Sequence, residues 1–254
     1  MTARYLPSTL AAGPPWSGVK FGQHLNTQMK SLILTLTAVA FVAGNASAGD
    51  VTGKITLKGT PAPEKEIPMD PACGALHPGK KPTTRFYVAD ASGGLADCVV
   101  YLEGAKGAPA TAPVVIDQKG CEYLPYINSA SVNQVIRVLN SDPVMHNIHP
   151  TPTVDGNKES NKAQLPKGAP LDHSFPKAEK FLRFKCDVHP WMFSYVSVFE
   201  HGFHTVSGKD GSFKITGVPD GKYKLVIEHR KGGKVEKDIE VKGGAKADFD
   251  ITAK

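Results

Sequence analysis

From residue 49 onward the chain changes character every eight to twelve residues. Each short alternation of apolar and polar residues gives way to a Gly, Pro, Asn or Asp turn and then to another alternation. GDVTGKITLKG (49–59), VNQVIRVLNSD (132–142), FSYVSVFE (193–200), GSFKITG (211–217) and KYKLVIEHR (222–230) all follow this plan. Runs of that length with a period of two are strands, and their regular punctuation predicts an all-β sandwich architecture. RFYVADASGGLADCVVYLEG (85–104) reads as two short strands joined at Gly93-Gly94, while the Pro-, Gly- and Lys-rich stretch 61–84 and the polar stretch 151–180 read as loops.

The N-terminal portion is different. Lys30 precedes an apolar run at 32–42 and an Ala46-Ser47-Ala48 triplet, the pattern of a secretory signal peptide cleaved before Gly49. The run is too short to span a bilayer, so no membrane span is expected in the mature chain. Residues 1–28 carry no acidic residue and read as a start-site extension ahead of a signal at 29–48. Cleavage leaves 206 residues with 27 basic and 24 acidic side chains. A net charge of only +3, scattered with no block of like sign, gives no sign of the clustered cationic face that nucleic acid requires. Export also makes disulfides the default for cysteines, of which there are four: Cys73, Cys98, Cys121 and Cys186. We expect Cys73 to pair with Cys121 and Cys98 to be a buried thiol.

Cys186 belongs elsewhere. In FLRFKC, Leu182, Phe184 and Cys186 share one face and Arg183 and Lys185 the other, so Cys186 leaves its strand pointing inward. His189 and Met192 follow at three-residue spacing. A second segment, DPVMHNIH, supplies His146 and His149 after the turn that ends 132–142. One thiolate, two imidazoles and a thioether form a soft donor set that suits copper in both oxidation states. Zinc held by Cys186, His189, His146 and His149 is the chemical competitor. Asn147 is placed to hydrogen-bond across to the Cys186 loop. Tyr123, Tyr126 and Trp191 either line the approach to the metal or simply pack. His173, His201, His204 and His229 read as surface residues. No Ser-His-Asp set, carboxylate pair or phosphate loop is present, so the chain is not expected to be an enzyme.

NSDPVMHNIHP together with FKCDVHPWMFSYVSV resembles the cupredoxins. The resemblance implies a Greek-key β-sandwich over 112–200 holding one copper ion through His146, Cys186 and His189, with Met192 as a weak axial ligand. His149 and Met145 are the alternatives for that fourth position. His189 and Met192 are separated by only two residues, a spacing similar to the binuclear loop of cytochrome oxidase subunit II. That loop has a second cysteine and this one has none, so a mononuclear site is implied. GDVTGKITLKG and TVSGKDGSFKITGVPDGKYKLVIEH resemble the carboxypeptidase regulatory-like (transthyretin-like, Cna-B-type) β-sandwich. Its parts would be 49–111 and 201–254, with the cupredoxin-like segment inserted between them.

These resemblances imply a periplasmic or secreted electron carrier that passes single electrons to a partner protein through an exposed edge of His189. A copper store or delivery protein without redox turnover is the alternative, as is a binding module with structural zinc or no metal. N-terminal sequencing of exported protein is expected to begin at Gly49; a start at any other residue refutes the cleavage site.

Overall fold

The computed structural model describes residues 47–254. The expected start extension and nearly all of the expected signal peptide lie outside the described residues. Strand β1 (Ala48–Lys58), a single helical turn α1 (Pro71–Gly74) and β2 (Val99–Glu103) come first. Next are β3 (Val114–Gln118), β4 (Tyr123–Leu124), β5 (Ile127–Ser131), β6 (Ile136–Asn140) and β7 (His146–Thr151). They are followed by β8 (Lys162–Gln164), β9 (Leu171–His173), β10 (Glu179–Lys185) and β11 (Phe193–Phe199). The chain closes with β12 (His204–Val206), β13 (Ser212–Pro219), β14 (Gly221–His229), β15 (Gly233–Val241), β16 (Gly244–Lys246) and β17 (Phe249–Thr252). The described chain is thus almost entirely β, as the turn spacing predicts. No helix among the described residues is long and apolar enough to cross a membrane.

Strand pairing sorts these elements into four sheets. One has the order β13-β1-β16 with β17 also on β1, and a second has the order β12-β2-β14-β15. The third is β5-β11-β10-β7-β8 and the fourth β4-β3-β6-β9. Strands from before residue 104 and after residue 203 therefore share the first two sheets, while residues 114–199 supply the other two.

Alternation along the strands decides which side chains fill which layer. Val51 and Ile55 of β1, Val100 and Leu102 of β2, and Leu225 and Ile227 of β14 form one core between the first two sheets. Ile116, Val138, Ile148, Phe184 and Val196 form another between the third and fourth. The intervening residues of β2 and β14 (Val99, Tyr101, Val226) point the other way and pack against Ile127, Tyr195 and Phe199 of the third sheet. β2 and β14 are thus buried on both faces, which explains why CVVYL and LVI are continuously apolar where β15 is not. Tight turns close the layers. Gly211 sits at φ +78°, and a Cβ there would lie 2.3 Å from the Ile55 carbonyl oxygen, so only glycine fits the Asp210-Gly211 corner.

Three local expectations need correction. The 61–84 stretch is not all loop: Asp70 caps α1 by accepting the Cys73 N–H at 2.9 Å, and Pro71 begins the turn. Residues 85–98 do not form a regular strand before the turn but do make a short hairpin-like pairing, with Ala89 bridging Leu95 and the Ala96 N–H on the Val88 carbonyl, while the Leu95 N–H bonds the Ile55 carbonyl of β1. The third correction concerns the histidines. His201 and His229 are buried, and His173 and His204 half-buried, rather than exposed. β12 pairs with β2, so His204 stacks on Phe199 at 4.8 Å and meets the Ser129 and Ser131 hydroxyls. His229 stacks on Tyr87, and its Nδ1 accepts the Gly232 N–H at 2.9 Å. The cysteines follow expectation: Cys73 and Cys121 are joined as a disulfide and Cys98 is a buried thiol.

Burial, with the charge of Arg230, holds the His229 imidazole down at about 4; burial, with His201 and Lys180, does the same for His204. In the unfolded chain both titrate near pH ~6.5. Between those values the unfolded state binds protons that the folded state refuses, so stability is full above the unfolded value and falls as pH drops toward 4. The loss is at most about 3 kcal/mol per histidine. Urea midpoints measured from pH 7.5 down to 4.5 are expected to fall, and His229→Gln should flatten that fall. An unchanged slope in the variant contradicts the assignment.

Candidate metal centre

The centre forms where β7, the loop after β10 and the Cys73–Cys121 staple meet. Leu182, Phe184 and Cys186 are each 2 % exposed or less, while Arg183 is exposed, so the alternating face carries Cys186 inward as its pattern requires. The loop then closes on itself. Met192 N–H donates to the His189 carbonyl at 2.9 Å, and Cys186 N–H to the Met192 carbonyl at 3.1 Å. This pair of bonds accommodates the two-residue spacing between His189 and Met192. Met192 is fully buried in the same apolar cluster as Cys186.

His146 enters from the start of β7. Its Nδ1 lies 3.0 Å from the Nδ1 of His189, and the Cys186 Sγ lies 3.7 Å from that same His189 nitrogen. Donor atoms of His146, Cys186 and His189 all fall within 4.8 Å of one another, and all three residues are buried. Asn147 provides the expected cross-link. Its backbone N–H donates to Cys186 Sγ at 3.5 Å, and its side-chain oxygen accepts the Asp187 N–H at 2.7 Å and the Cys186 thiol at 3.2 Å.

Parity along β7 removes the alternative His149. His146 and Ile148 face the core, so His149, an odd number of residues away from His146, faces outward. Its ring nitrogens engage Asp187 at 2.7 Å and Glu159 at 2.5 Å, apart from the cluster. Met145, 44 % exposed, also points away. The expectation of an exposed His189 edge fails as well. His189 is only 6 % exposed, because the 61–84 segment lies over it and brings Asp70 Oδ2 to 3.3 Å from its Nε2.

Two carboxylates therefore orient the pair. Asp142 accepts from His146 Nε2 at 2.9 Å and also takes the Gly120 and Cys121 amides at 2.6 and 2.8 Å. Asp142 stands four residues before His146 in DPVMH, a position that carries a signal; Asp70 is signalled only as a helix cap before Pro71. Both outer nitrogens face carboxylates, and the two Nδ1 atoms face each other across 3.0 Å, close enough to share one proton as a hydrogen bond. A cation taking the place of that shared proton would be met by both nitrogens, and the adjacent thiol makes the donor set soft. The residues fit a copper ion.

Electrostatics agree with the geometry. Burial works against ionising Cys186, but its bond to His146 and the backbone N–H groups of Asn147, His189 and Val188 prevail and hold its thiol below the ordinary range. Burial likewise opposes protonating His146, and there Asp142 and Cys186 prevail, holding it above the ordinary value. Burial and the neighbouring His146 keep His189 below it.

Around this core, the disulfide sulfurs lie within 4.8 Å of His189 donor atoms, and Cys121 lies equally close to Asp142 and His146. Trp191 donates its indole N–H to the Cys121 carbonyl at 3.1 Å, and its ring centre is 5.3 Å from that of His189. Tyr123 packs: it is 1 % exposed, and its hydroxyl bonds the Asn147 carbonyl at 2.6 Å.

No protein-family model matches the sequence, and no curated protein matches it. Several solved structures are similar over part of the chain. A copper-containing nitrite reductase (NirK) from Thermus scotoductus SA-01 is 23 % identical with a TM-score of 0.32, over 38 % of this chain and 24 % of that one. A single-residue mutant of amicyanin in its Cu(I) form is 18 % identical with a TM-score of 0.31, over 39 % of this chain and 97 % of that one. A purple cupredoxin from Nitrosopumilus maritimus is 24 % identical with a TM-score of 0.28, over 34 % of this chain and 98 % of that one. This chain thus spans about a quarter of the nitrite reductase.

Removing the Asp142 carboxylate should release His146 from its orientation. Asp142→Asn is expected to weaken metal binding by about 10- to 100-fold, as read by chelator competition with Cu(II) or Zn(II). Affinity equal to wild type would show that Asp142 does not orient the ligand.

Proposed function

We propose that this chain is a periplasmic or secreted protein that binds one copper ion and serves as a one-electron carrier rather than an enzyme. The observation that carries this reading is the convergence of the two Nδ1 atoms and the Cys186 thiol in a buried cluster, with each outer nitrogen facing a carboxylate. His146, Cys186 and His189 would hold the ion, and Met192 is the buried thioether beside them. When bound, copper supplies reversible one-electron chemistry.

The chain's own part is to keep the donors fixed. Asp142 and Asp70 set the imidazole orientations, Asn147 locks the Cys186 loop onto β7, and the two loop hydrogen bonds fix the spacing from Cys186 to Met192. Donors held in this way need little rearrangement when the charge of the centre changes, which favours fast exchange of electrons. Burial of His189 keeps bulk water away from the ligands. The domain division belongs to the same proposal: strands before 104 and after 203 form a regulatory-like sandwich that acts as scaffold or docking module for an unidentified redox partner protein.

The test is the visible spectrum of purified protein loaded with Cu(II). An intense thiolate-to-copper charge-transfer band in the red is expected, with loss of that band in Cys186→Ser. A protein that binds Zn(II) tightly and gives no such band with copper would carry structural zinc instead. A band without reversible reduction would indicate a copper store or delivery protein.

A further inference from the structure

Beside the centre lies a cavity of about 210 Å³ that the metal reading leaves unused. Phe86, Tyr126, Trp191 and Phe193 supply its aromatic walls, and Ile67 and Pro68 part of the rim. We propose that this cavity binds a neutral, single-ring phenolic molecule, and that Trp191 couples the bound ring to His189. The coupling rests on the copper reading given above; the binding does not.

Size selects the ligand first. An apolar cavity of about 150 Å³ is enough for benzene, so 210 Å³ has room for one substituted ring. Shape and chemistry select it further. Ring walls at several orientations favour an aromatic guest through offset and edge-to-face contacts. Arg85 and Glu122 are ion-paired to each other, and Glu66, the third charged residue of the lining, is exposed and stands 4.0 Å from Lys81, so an ionic guest finds no unpaired counter-charge inside. Thr83 in the lining adds a polar atom suited to a hydroxyl group, while the Thr84 hydroxyl is already taken by Glu64 and the Lys65 N–H.

The walls are also set in advance. Trp191 is held by its bond to the Cys121 carbonyl, Tyr126 by Arg230 on its hydroxyl at 2.8 Å, and Phe193 by a tilted contact with Tyr126 and an edge contact with Tyr195. Little side-chain freedom remains to be lost when a ligand enters. Trp191 belongs both to this lining and to the loop that carries Cys186, His189 and Met192, with its ring 5.3 Å from the His189 ring. A ring stacked against Trp191 therefore acts on the centre through one side chain. A free molecule is favoured over a partner's tyrosine because the rim offers Ile67 and Pro68, and no proline N–H, to the peptide groups a tyrosine brings with it.

Calorimetric titration of the metal-free full chain with phenol tests the binding. One saturable site is expected, with affinity at least about tenfold weaker in Ile67→Trp, whose larger side chain fills the cavity, and at least about tenfold weaker for N-acetyl-tyrosinamide. Absence of saturable heat overturns the proposal. So does equal phenol affinity in an Ile67→Trp protein that melts like wild type. N-acetyl-tyrosinamide binding as tightly as phenol overturns the small-molecule assignment in favour of a partner's side chain. In Cu(II)-loaded protein, phenol is expected to shift the visible band of wild type but not of Ile67→Trp. A protein with no band refutes the copper reading while the calorimetric result stands, and a band that phenol saturation leaves unmoved refutes the coupling through Trp191.

Discussion

A single buried carboxylate holds the candidate centre together. Asp142 accepts two backbone amides, those of Gly120 and Cys121, and the outer nitrogen of His146. Burial alone would raise its proton affinity, yet His146 and the two amides prevail and keep it ionised below the usual carboxylate range. One charge thereby fixes three things: the imidazole orientation, the turn that carries Cys121, and through the Cys121–Cys73 bond the position of α1 with its capping Asp70. Asp70 in turn reaches His189. The histidine from β7 and the histidine from the loop after β10 are thus oriented by one connected network rather than by two independent contacts.

Much of this is legible in the sequence, for a physical reason. Period-two alternation is a local property, so FLRFKC shows which way Cys186 faces, and the turn spacing shows the all-β class. Asn147 is also readable, because its neighbour His146 places it beside the loop it bonds. What escapes is everything set by contacts distant in sequence. Asp70 stands 119 residues from His189 in a segment that reads as loop, and the Cys73–Cys121 link, with the His77 contact to the Gly120 carbonyl, ties that segment over the imidazole. His204 and His229 read as surface residues because their burial comes from strand pairing with β2 and stacking on Tyr87, neither of which leaves a local pattern. His149 shows the converse: parity alone, applied to β7, is sufficient to turn it outward.

Layering explains how one chain carries two cores. The sheet built on β2 and β14 gives alternate residues to each side, so Val100 and Leu102 serve one core while Val99 and Tyr101 serve the contact with the third sheet. Lys180 adds to that contact, with its ammonium 3.2 Å from the Tyr101 ring centre and 4.2 Å from that of Phe199. Desolvation there lowers its pKa to about 8 despite the nearby Glu228. A cation kept in such a place fastens the two halves by their aromatic faces.

Cys98 sits in the doubly covered β2 region, and its chemistry follows from that address. Burial pushes its thiol up to about 12, against the bond it shares with Ser207. Only the thiolate attacks a disulfide, so at neutral pH this sulfur has almost no reactive form, and no solvent path leads to it. The unpaired thiol is therefore a silent neighbour: it neither exchanges with Cys73–Cys121 nor links one molecule to the next for as long as the layers stay closed.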